Sequence, residues 1–139
     1  MNTKSEKAIT PDYVMIDPDL QQDTINKQGE IGFVTVINSP ADDYWVVFDD
    51  GEIGLYAADA LLVVKHEHQI LDYLIENKEK LPLQDYRKLE NIALLNTYGG
   101  DTQQKKALKL AAANPAIRDG ALAPVALYRE PSREPGPER

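Results

Sequence analysis

The sequence predicts an α+β fold in which a small antiparallel β-barrel is followed by an α-helical hairpin and a third helix. Residues 28–64 carry the only tryptophan, both phenylalanines and the densest runs of β-branched residues, which is typical of strands. From residue 67 onward, apolar residues recur at spacings of three and four, which is typical of amphipathic helices. In a chain of 139 residues we expect one domain, or one small barrel that shares its core with a helical appendage.

The N-terminal region leads into the barrel. Residues 1–10 are polar, and we expect them to form a flexible terminus. Residues 11–16 include four consecutive apolar side chains, so they should form an extended segment against the edge of the barrel. The Asp-Pro-Asp sequence at residues 17–19 marks a turn, and residues 20–27 should form either one helical turn or a loop.

Four strands are predicted in the barrel. Residues 31–37 alternate with a period of two, and residues 44–48 are aromatic or β-branched throughout. The Asp-Asp-Gly-Glu sequence at residues 49–52 tolerates the positive φ of a tight reversal, so residues 53–56 should return antiparallel to residues 44–48. Residues 61–64 should add a short fourth strand.

Several short motifs in this region resemble a known class of small barrels. They are Gln28-Gly29-Glu30-Ile31-Gly32-Phe33-Val34, Val46-Val47-Phe48-Asp49-Asp50-Gly51, Leu55-Tyr56 and Asp59-Ala60-Leu61-Leu62. Together they resemble the SH3-like barrels of the KOW and Tudor-like type. The resemblance implies a module that binds nucleic acid, modified peptides or protein partners and does not catalyse. It also implies that Val46 and Phe48 are core residues and that Trp45 and Val47 face outward.

Two helices should form a hairpin after the barrel. Residues 67–80 place Ile70, Leu71, Leu74 and Ile75 on one apolar face. The second helix should begin near Pro82 and end at Tyr98-Gly99-Gly100. Its inward residues are expected to be Tyr86, Leu89, Ile92, Ala93 and Leu95.

A third helix should start at a cap formed by Asp101 or Thr102 and run to about Ala113, before Asn114-Pro115 stops it. The chain then divides into four predicted regions. These are a flexible N-terminus (1–10), an SH3-like barrel (11–65), a helical appendage that packs on the barrel (66–115) and an extended to disordered C-terminal tail (116–139).

The charge of the barrel region restricts its possible partners. Residues 17–64 contain ten acidic residues against one basic residue, Lys27, which gives a formal charge of −9 (1 − 10). A nucleic-acid-binding surface needs the opposite sign to displace counterions from phosphates. The charge therefore favours a protein partner with a basic surface, while the alternative is that acidic turns only keep a small domain soluble.

Four aromatic residues lie close together in the predicted hairpin, namely Tyr44, Trp45, Phe48 and Tyr56. They can form either a cage for a cationic side chain or part of the core. Tyr44 and Phe48 share a face with Val46, which leaves Trp45 and Tyr56 as surface candidates unless the helical hairpin covers Trp45 and Val47. The predicted partner-binding residues are Asp42, Asp43, Tyr44, Trp45, Asp49, Asp50, Glu52 and Tyr56.

Two alternative functions remain open. A nucleic-acid accessory factor would use the basic third helix with Lys105, Lys106 and Lys109, together with Arg118, although these lysines can equally dock against the acidic barrel or be solvated. A structural subunit would bury the Trp45 face by self-association.

Catalysis and metal binding have little support in the sequence. No nucleophile-elbow, phosphate-loop, dinucleotide or HExxH motif is present, so we expect no enzyme and no cofactor. His66 and His68 have a His-x-His spacing without a third ligand in any recognisable motif, and we expect no metal site there. The chain has no cysteine and no apolar run long enough to span a bilayer, and we expect a soluble, cytoplasmic protein.

Overall fold

Residues 12–38 and 42–128 are described by a computed structural model. Within these ranges the chain forms an antiparallel sheet and four α-helices, in the order β1 (Tyr13–Ile16), β2 (Ile31–Asn38), β3 (Asp43–Val47), β4 (Ile53–Ala57), β5 (Leu61–Val64), α1 (Glu67–Glu76), α2 (Leu83–Tyr98), α3 (Asp101–Ala111), α4 (Pro115–Ala121) and β6 (Leu122–Pro124). Short 3₁₀ turns span Ala58–Ala60 and Val125–Leu127. No helix in these ranges is both long and apolar enough to cross a membrane.

The six strands are ordered β4-β3-β2-β1-β5-β6, and each neighbouring pair is antiparallel. The predicted α+β class and the four predicted strands are confirmed, whereas the sheet does not close and a barrel is not confirmed. The prediction that residues 11–16 lie at an edge is wrong, because β1 pairs with β2 on one side and β5 on the other. Its interior position follows from its apolar side chains, which are buried on both faces: Val14 and Ile16 in one core and Met15 in another.

The predicted reversal between β3 and β4 is confirmed. The Phe48 amide donates to the Glu52 carbonyl and the Gly51 amide donates to the Phe48 carbonyl, both at 2.9 Å. Gly51 has φ of 90°, a conformation that costs glycine little because it lacks a Cβ atom. The result is a three-residue hairpin loop whose last residue is left-handed. Residues 20–27 form a loop with turns.

Two hydrophobic cores lie on opposite faces of the sheet. The first core contains inward side chains of β2, β3 and β4 together with Val14, Ile16 and Tyr128. The second core lies between the sheet and the helices, where Met15, Leu62 and Val64 pack against apolar residues of all four helices. The helices therefore cover the sheet mainly over β1 and β5.

The helical hairpin is confirmed, but part of its predicted apolar face is wrong. In α1, Ile70 and Leu74 are buried, whereas Leu71 and Ile75 are exposed. The helix also ends at Glu76 and does not reach residue 80. A helix that packs through a single i, i+4 row buries only the residues on that row, so the neighbouring positions face outward.

The predicted inward face of α2 is confirmed for Leu89, Ile92 and Ala93, which are buried. Tyr86 and Leu95 are only half-buried and pack at the margin of the second core. The prediction for these two residues is therefore confirmed in part.

The beginning of α3 differs from the prediction. Gly100 is the N-terminal cap residue, and its amide donates to the Gln103 Oε1 atom at 3.1 Å. Asp101 lies inside the first turn, so neither Asp101 nor Thr102 is the cap.

The prediction that the chain is extended from residue 116 is wrong up to Ala121. The Asn114 side chain accepts a hydrogen bond from the Ile117 amide at 3.0 Å, and Pro115 is the first residue of α4. Asparagine and proline at these two positions start a helix as effectively as they end one. The predictions for residues 1–10 and 129–139 lie outside the described residues.

Candidate interaction surface

Six apolar side chains form two neighbouring cross-strand rows on the uncovered part of the sheet, and we call this surface the open face. Cross-strand pairing places Phe33, Val47 and Ile53 side by side, and it does the same for Val36, Trp45 and Leu55. Five of the six are between 40% and 57% exposed, and Val47 is half-buried. Monomeric proteins rarely expose contiguous apolar surface of this kind without a binding role.

The open face is the continuation of the face that the helices cover. Directly paired residues point to the same side of an antiparallel sheet, and Tyr13 pairs with Phe33 while Met15 pairs with Ile31. Since Met15 belongs to the second core, Phe33 lies on the helix side of the sheet. The helices pack over β1 and β5 but do not extend over β2, β3 and β4. The side chains of these three strands on the helix side of the sheet are therefore largely exposed to solvent.

The positions implied by the resemblance agree with the structure. Val46 and Phe48 are buried, and Trp45 is exposed. The alternative in which the helical hairpin covers Trp45 and Val47 is wrong, because the helices lie on β1 and β5. The bulge between Val34 and Val36 in β2 keeps the outward residues of the longest strand in line with Trp45.

The four aromatic rings of the hairpin do not gather at the surface. Tyr44, Phe48 and Tyr56 are buried in the first core, and the Phe48 and Tyr56 rings meet edge to face at 6.3 Å. The expectation that Tyr44 and Tyr56 bind a partner through their rings is therefore corrected, since only Trp45 is exposed. An aromatic cage is not formed by these residues.

The predicted acidic residues occupy different environments. Asp42 has a left-handed backbone with φ of 58° and leads into β3, whose first residue is Asp43. Both are half-buried, whereas Asp49 and Glu52 in the hairpin are exposed. Aspartate tolerates the left-handed region better than most residues.

Asp50 forms an ion pair with Lys27, the only basic residue in residues 17–64. The Lys27 ammonium group forms ion pairs with the Asp50 carboxylate and with the Glu30 carboxylate at 3.6 Å, and it lies 5.3 Å from the centre of the Phe48 ring. The hydrogen bond with Asp50 raises the pKa of Lys27 and lowers the pKa of Asp50. This role was not predicted from the sequence, although a single lysine among ten acidic residues in residues 17–64 is a signal for a structural ion pair.

A second polar contact ties the loop between β1 and β2 to β4. The Tyr56 hydroxyl donates to the Asp23 Oδ2 atom at 2.9 Å, and the same carboxylate accepts from the Lys27 and Ile25 amides. Burial raises the pKa of Asp23, but these hydrogen bonds outweigh it and hold the pKa below 3.8. Burial and the Asp23 carboxylate raise the pKa of Tyr56 above 10.0.

A groove with a volume of about 550 Å³ separates the open face from α3. Tyr13 and Phe33 form part of its lining with rings 5.2 Å apart, and the Lys105 ammonium group lies 5.0 Å from the Tyr13 ring centre. Asp49, Asp50 and Glu30 line the sheet side, and Lys105 and Lys109 line the helix side. The groove therefore contains charges of both signs.

The residues of the predicted nucleic-acid surface are not gathered in one patch. Lys105 and Lys109 line this groove, and Lys106 is exposed. Arg118 forms an ion pair with Asp19 at 3.6 Å and lines a separate cavity of about 400 Å³. The arrangement favours docking of α3 near the acidic strands over a phosphate-binding surface.

The two histidines stack on each other. The His66 and His68 rings are 5.6 Å apart with planes 14° apart, and the Tyr128 ring meets His66 edge-on at 5.4 Å. No group of three metal-binding side chains occurs in the described part of the chain.

Comparison of the chain with models of protein families, with curated proteins and with solved structures finds no match. The open face and its charges are thus the observations from which a function can be argued.

Proposed function

We propose that the chain is a non-catalytic protein-interaction module that binds a basic protein partner through the open face. The observation that carries this proposal is the exposure of two cross-strand rows of apolar side chains, centred on Trp45. Tryptophan is enriched in the energetic centres of protein interfaces, where it combines a large contact area with few rotatable bonds. Each large side chain of the open face that becomes buried on binding contributes about 1.5 kcal/mol or more before entropic costs.

The acidic side chains favour a basic partner. Asp43 begins the central strand of the open face, and Asp49 and Glu52 are exposed in the hairpin at its other end. A formal charge of −9 over residues 17–64 attracts cationic proteins and repels phosphates. Apolar contacts in the middle with complementary charges around them are the usual arrangement of a specific interface.

We propose an SH3-like barrel as the finer description of the fold. The strand order β4-β3-β2-β1-β5, the 3₁₀ turn before β5 and the bulge in the eight-residue strand β2 support it. A bulge bends a long strand, and such bends allow a small sheet to curl around its own core.

Affinity capture from native lysate, with and without nuclease, tests the proposal. The open-face variant is Trp45→Asn with Leu55→Asn, and the matched control is Leu71→Asn with Ile75→Asn, which removes exposed apolar side chains from α1. We expect a nuclease-resistant partner that is retained by the wild type and the α1 control but lost from the open-face variant. A charge-reversed variant, Asp49→Lys with Glu52→Lys, should also lose it.

Three results would contradict the proposal. Retention of the partner by the folded open-face variant would show that binding does not use the open face. Capture only in the presence of nucleic acid would favour a nucleic-acid accessory factor that binds through the lysines of α3. A concentration-dependent dimer that is abolished by Trp45→Asn would support a self-associating subunit instead, and sedimentation velocity measures this directly.

A further inference from the structure

Strand β4 is an open edge of the sheet. In the part of the chain that the structure describes, β4 pairs with β3 only. Its sequence, Ile-Gly-Leu-Tyr-Ala, contains no proline and no charged residue, which are the usual protections of an edge. The opposite edge, β6, is three residues long and ends in Pro124. Another strand can therefore pair with β4 more readily than with β6.

The hairpin determines which backbone groups of β4 point to this edge. In an antiparallel pair, alternate residues exchange hydrogen bonds with the partner strand, and the residues between them direct their N–H and C=O groups to the other side. The Phe48 amide donates to the Glu52 carbonyl, and Val46 lies opposite Gly54. By this alternation the backbones of residues 52, 54 and 56 bond to β3.

The amides of Ile53, Leu55 and Ala57 consequently point away from β3, as do the carbonyls of Ile53 and Leu55. The side chains of these three residues are also exposed. Two of them belong to the open face, so the backbone groups that point away from β3 and the apolar surface adjoin each other along one strand.

We propose, as an extension of the interaction function above, that the partner adds to β4 as an extended strand. Main-chain hydrogen bonds with Ile53, Leu55 and Ala57 give the affinity, and apolar side chains of the added strand extend the open face. Cationic side chains of the added strand meet Glu52 and Asp59, which are exposed at the two ends of β4. A second copy of this chain fits less well, because its own acidic hairpin would approach the same acidic residues.

The test uses a synthetic acetylated peptide of about seven residues in which lysine and valine alternate, long enough to span a strand of ordinary length. Amide hydrogen exchange is followed by NMR in the intact ¹⁵N-labelled chain with and without the peptide. We expect exchange at Ile53, Leu55 and Ala57 to slow by about tenfold or more. Gly54 and Tyr56, whose amides already bond to β3, are the internal control and should change little.

Modified peptides separate backbone pairing from attraction by charge. A strand uses one of its two edges, so N-methylation of one alternate set of peptide amides should abolish binding and methylation of the other set should leave it. Replacement of lysine by glutamate should weaken binding by about tenfold or more at low salt. In the protein, Leu55→Pro removes one edge amide, and Leu55→Ala is the control that keeps it. If Leu55→Pro does not fold, the binding of the two sets of methylated peptides to the wild-type chain still tests strand addition.

Distinct outcomes separate this inference from the proposed function. Equal loss of affinity from both methylated peptides, uniform protection of residues 53–57, or no binding at about 1 mM peptide would overturn strand addition. If the native partner changes the fluorescence of Trp45, the only tryptophan, without the alternating protection, strand addition is wrong and the interaction function stands. If the native partner changes neither signal, both are wrong.

Discussion

Replacement of Tyr56 by phenylalanine should destabilise the fold in a pH-dependent way. The substitution removes one hydroxyl group and leaves the buried ring in the first core. That hydroxyl donates to the Asp23 carboxylate at 2.9 Å and joins the loop between β1 and β2 to the edge strand. The change therefore isolates a single hydrogen bond between a loop residue and a strand residue that are 33 residues apart.

The expected loss follows from the partners that remain. A hydrogen bond to a charged group contributes about 1.5 to 3 kcal/mol. Asp23 keeps its bonds to the Ile25 and Lys27 amides, so the carboxylate is not left unsatisfied and the lower value applies. With a urea m-value of about 1.5 kcal/mol per molar, the midpoint of unfolding should fall by about 1 M at pH 7.

The pH dependence follows from the direction of the two pKa shifts. The pKa of Asp23 is below 3.8 in the folded protein, so its contribution is present above that pH and is lost as the pH falls through the lowered value. The pKa of Tyr56 is raised above 10.0, so its contribution is complete below pH 10 and is lost as the pH rises further. The difference between wild type and Tyr56→Phe should therefore be largest between these limits.

Urea unfolding at pH 7 and at a series of pH values descending from pH 4, followed by the fluorescence of Trp45, measures this difference. Tyr73→Phe is the matched control, because the Tyr73 hydroxyl donates at 3.2 Å to the backbone carbonyl of Ala116, which does not titrate. The Tyr56→Phe difference should shrink as the pH falls through the lowered pKa of Asp23, and the Tyr73→Phe difference should not. A Tyr56→Phe difference that stays the same over the whole acid series would refute the role assigned to the ionised Asp23.

Four further substitutions test the packing and capping. Gly32→Ala should cost about 1 to 3 kcal/mol, because a Cβ atom there would lie 2.4 Å from Val46 Cγ1; thermal unfolding measures it. Ile70→Ala should cost about 2 to 5 kcal/mol, whereas Ile75→Ala, at a position 71% exposed, should change urea stability by about 0.5 kcal/mol or less. Asn114→Ala should cost about 1 kcal/mol through loss of the hydrogen bond that the Ile117 amide donates to the Asn114 side chain, and calorimetry measures this loss.

The strands were predictable because their signals are local. Residues 44–48 consist of types that suit a pleated surface, and the Asp-Asp-Gly sequence at residues 49–51 specifies the hairpin without help from the rest of the chain. The inward position of Val46 and the exposure of Trp45 follow from the same period of two. The sequence therefore predicted the features that depend on one strand or one turn alone.

The position of β1 inside the sheet and the exposure of half of the predicted apolar face of α1 depend on distant residues, and the sequence did not predict them. The position of β1 inside the sheet depends on β5, which begins 45 residues after Ile16 ends the first strand (61 − 16). Leu71 and Ile75 have the same apolar character as Ile70 and Leu74, and only the packing of α1 on its neighbours distinguishes them. The same limit applies to the interaction surface, whose exposure results from where the helices stop.

The central strands β1 and β5 have buried apolar side chains on both faces. The sheet and the helices should therefore not fold as separate fragments. Deletion of the helices would expose Met15, Leu62 and Val64 to solvent, each at a cost of about 2 kcal/mol. The whole helix side of the sheet would then be an exposed apolar surface. An isolated fragment of residues 12–65 should therefore aggregate during expression. In evolution, gene fusion or exon exchange could move residues 12–128 as one piece, but a break after β5 would leave both products without a complete interior.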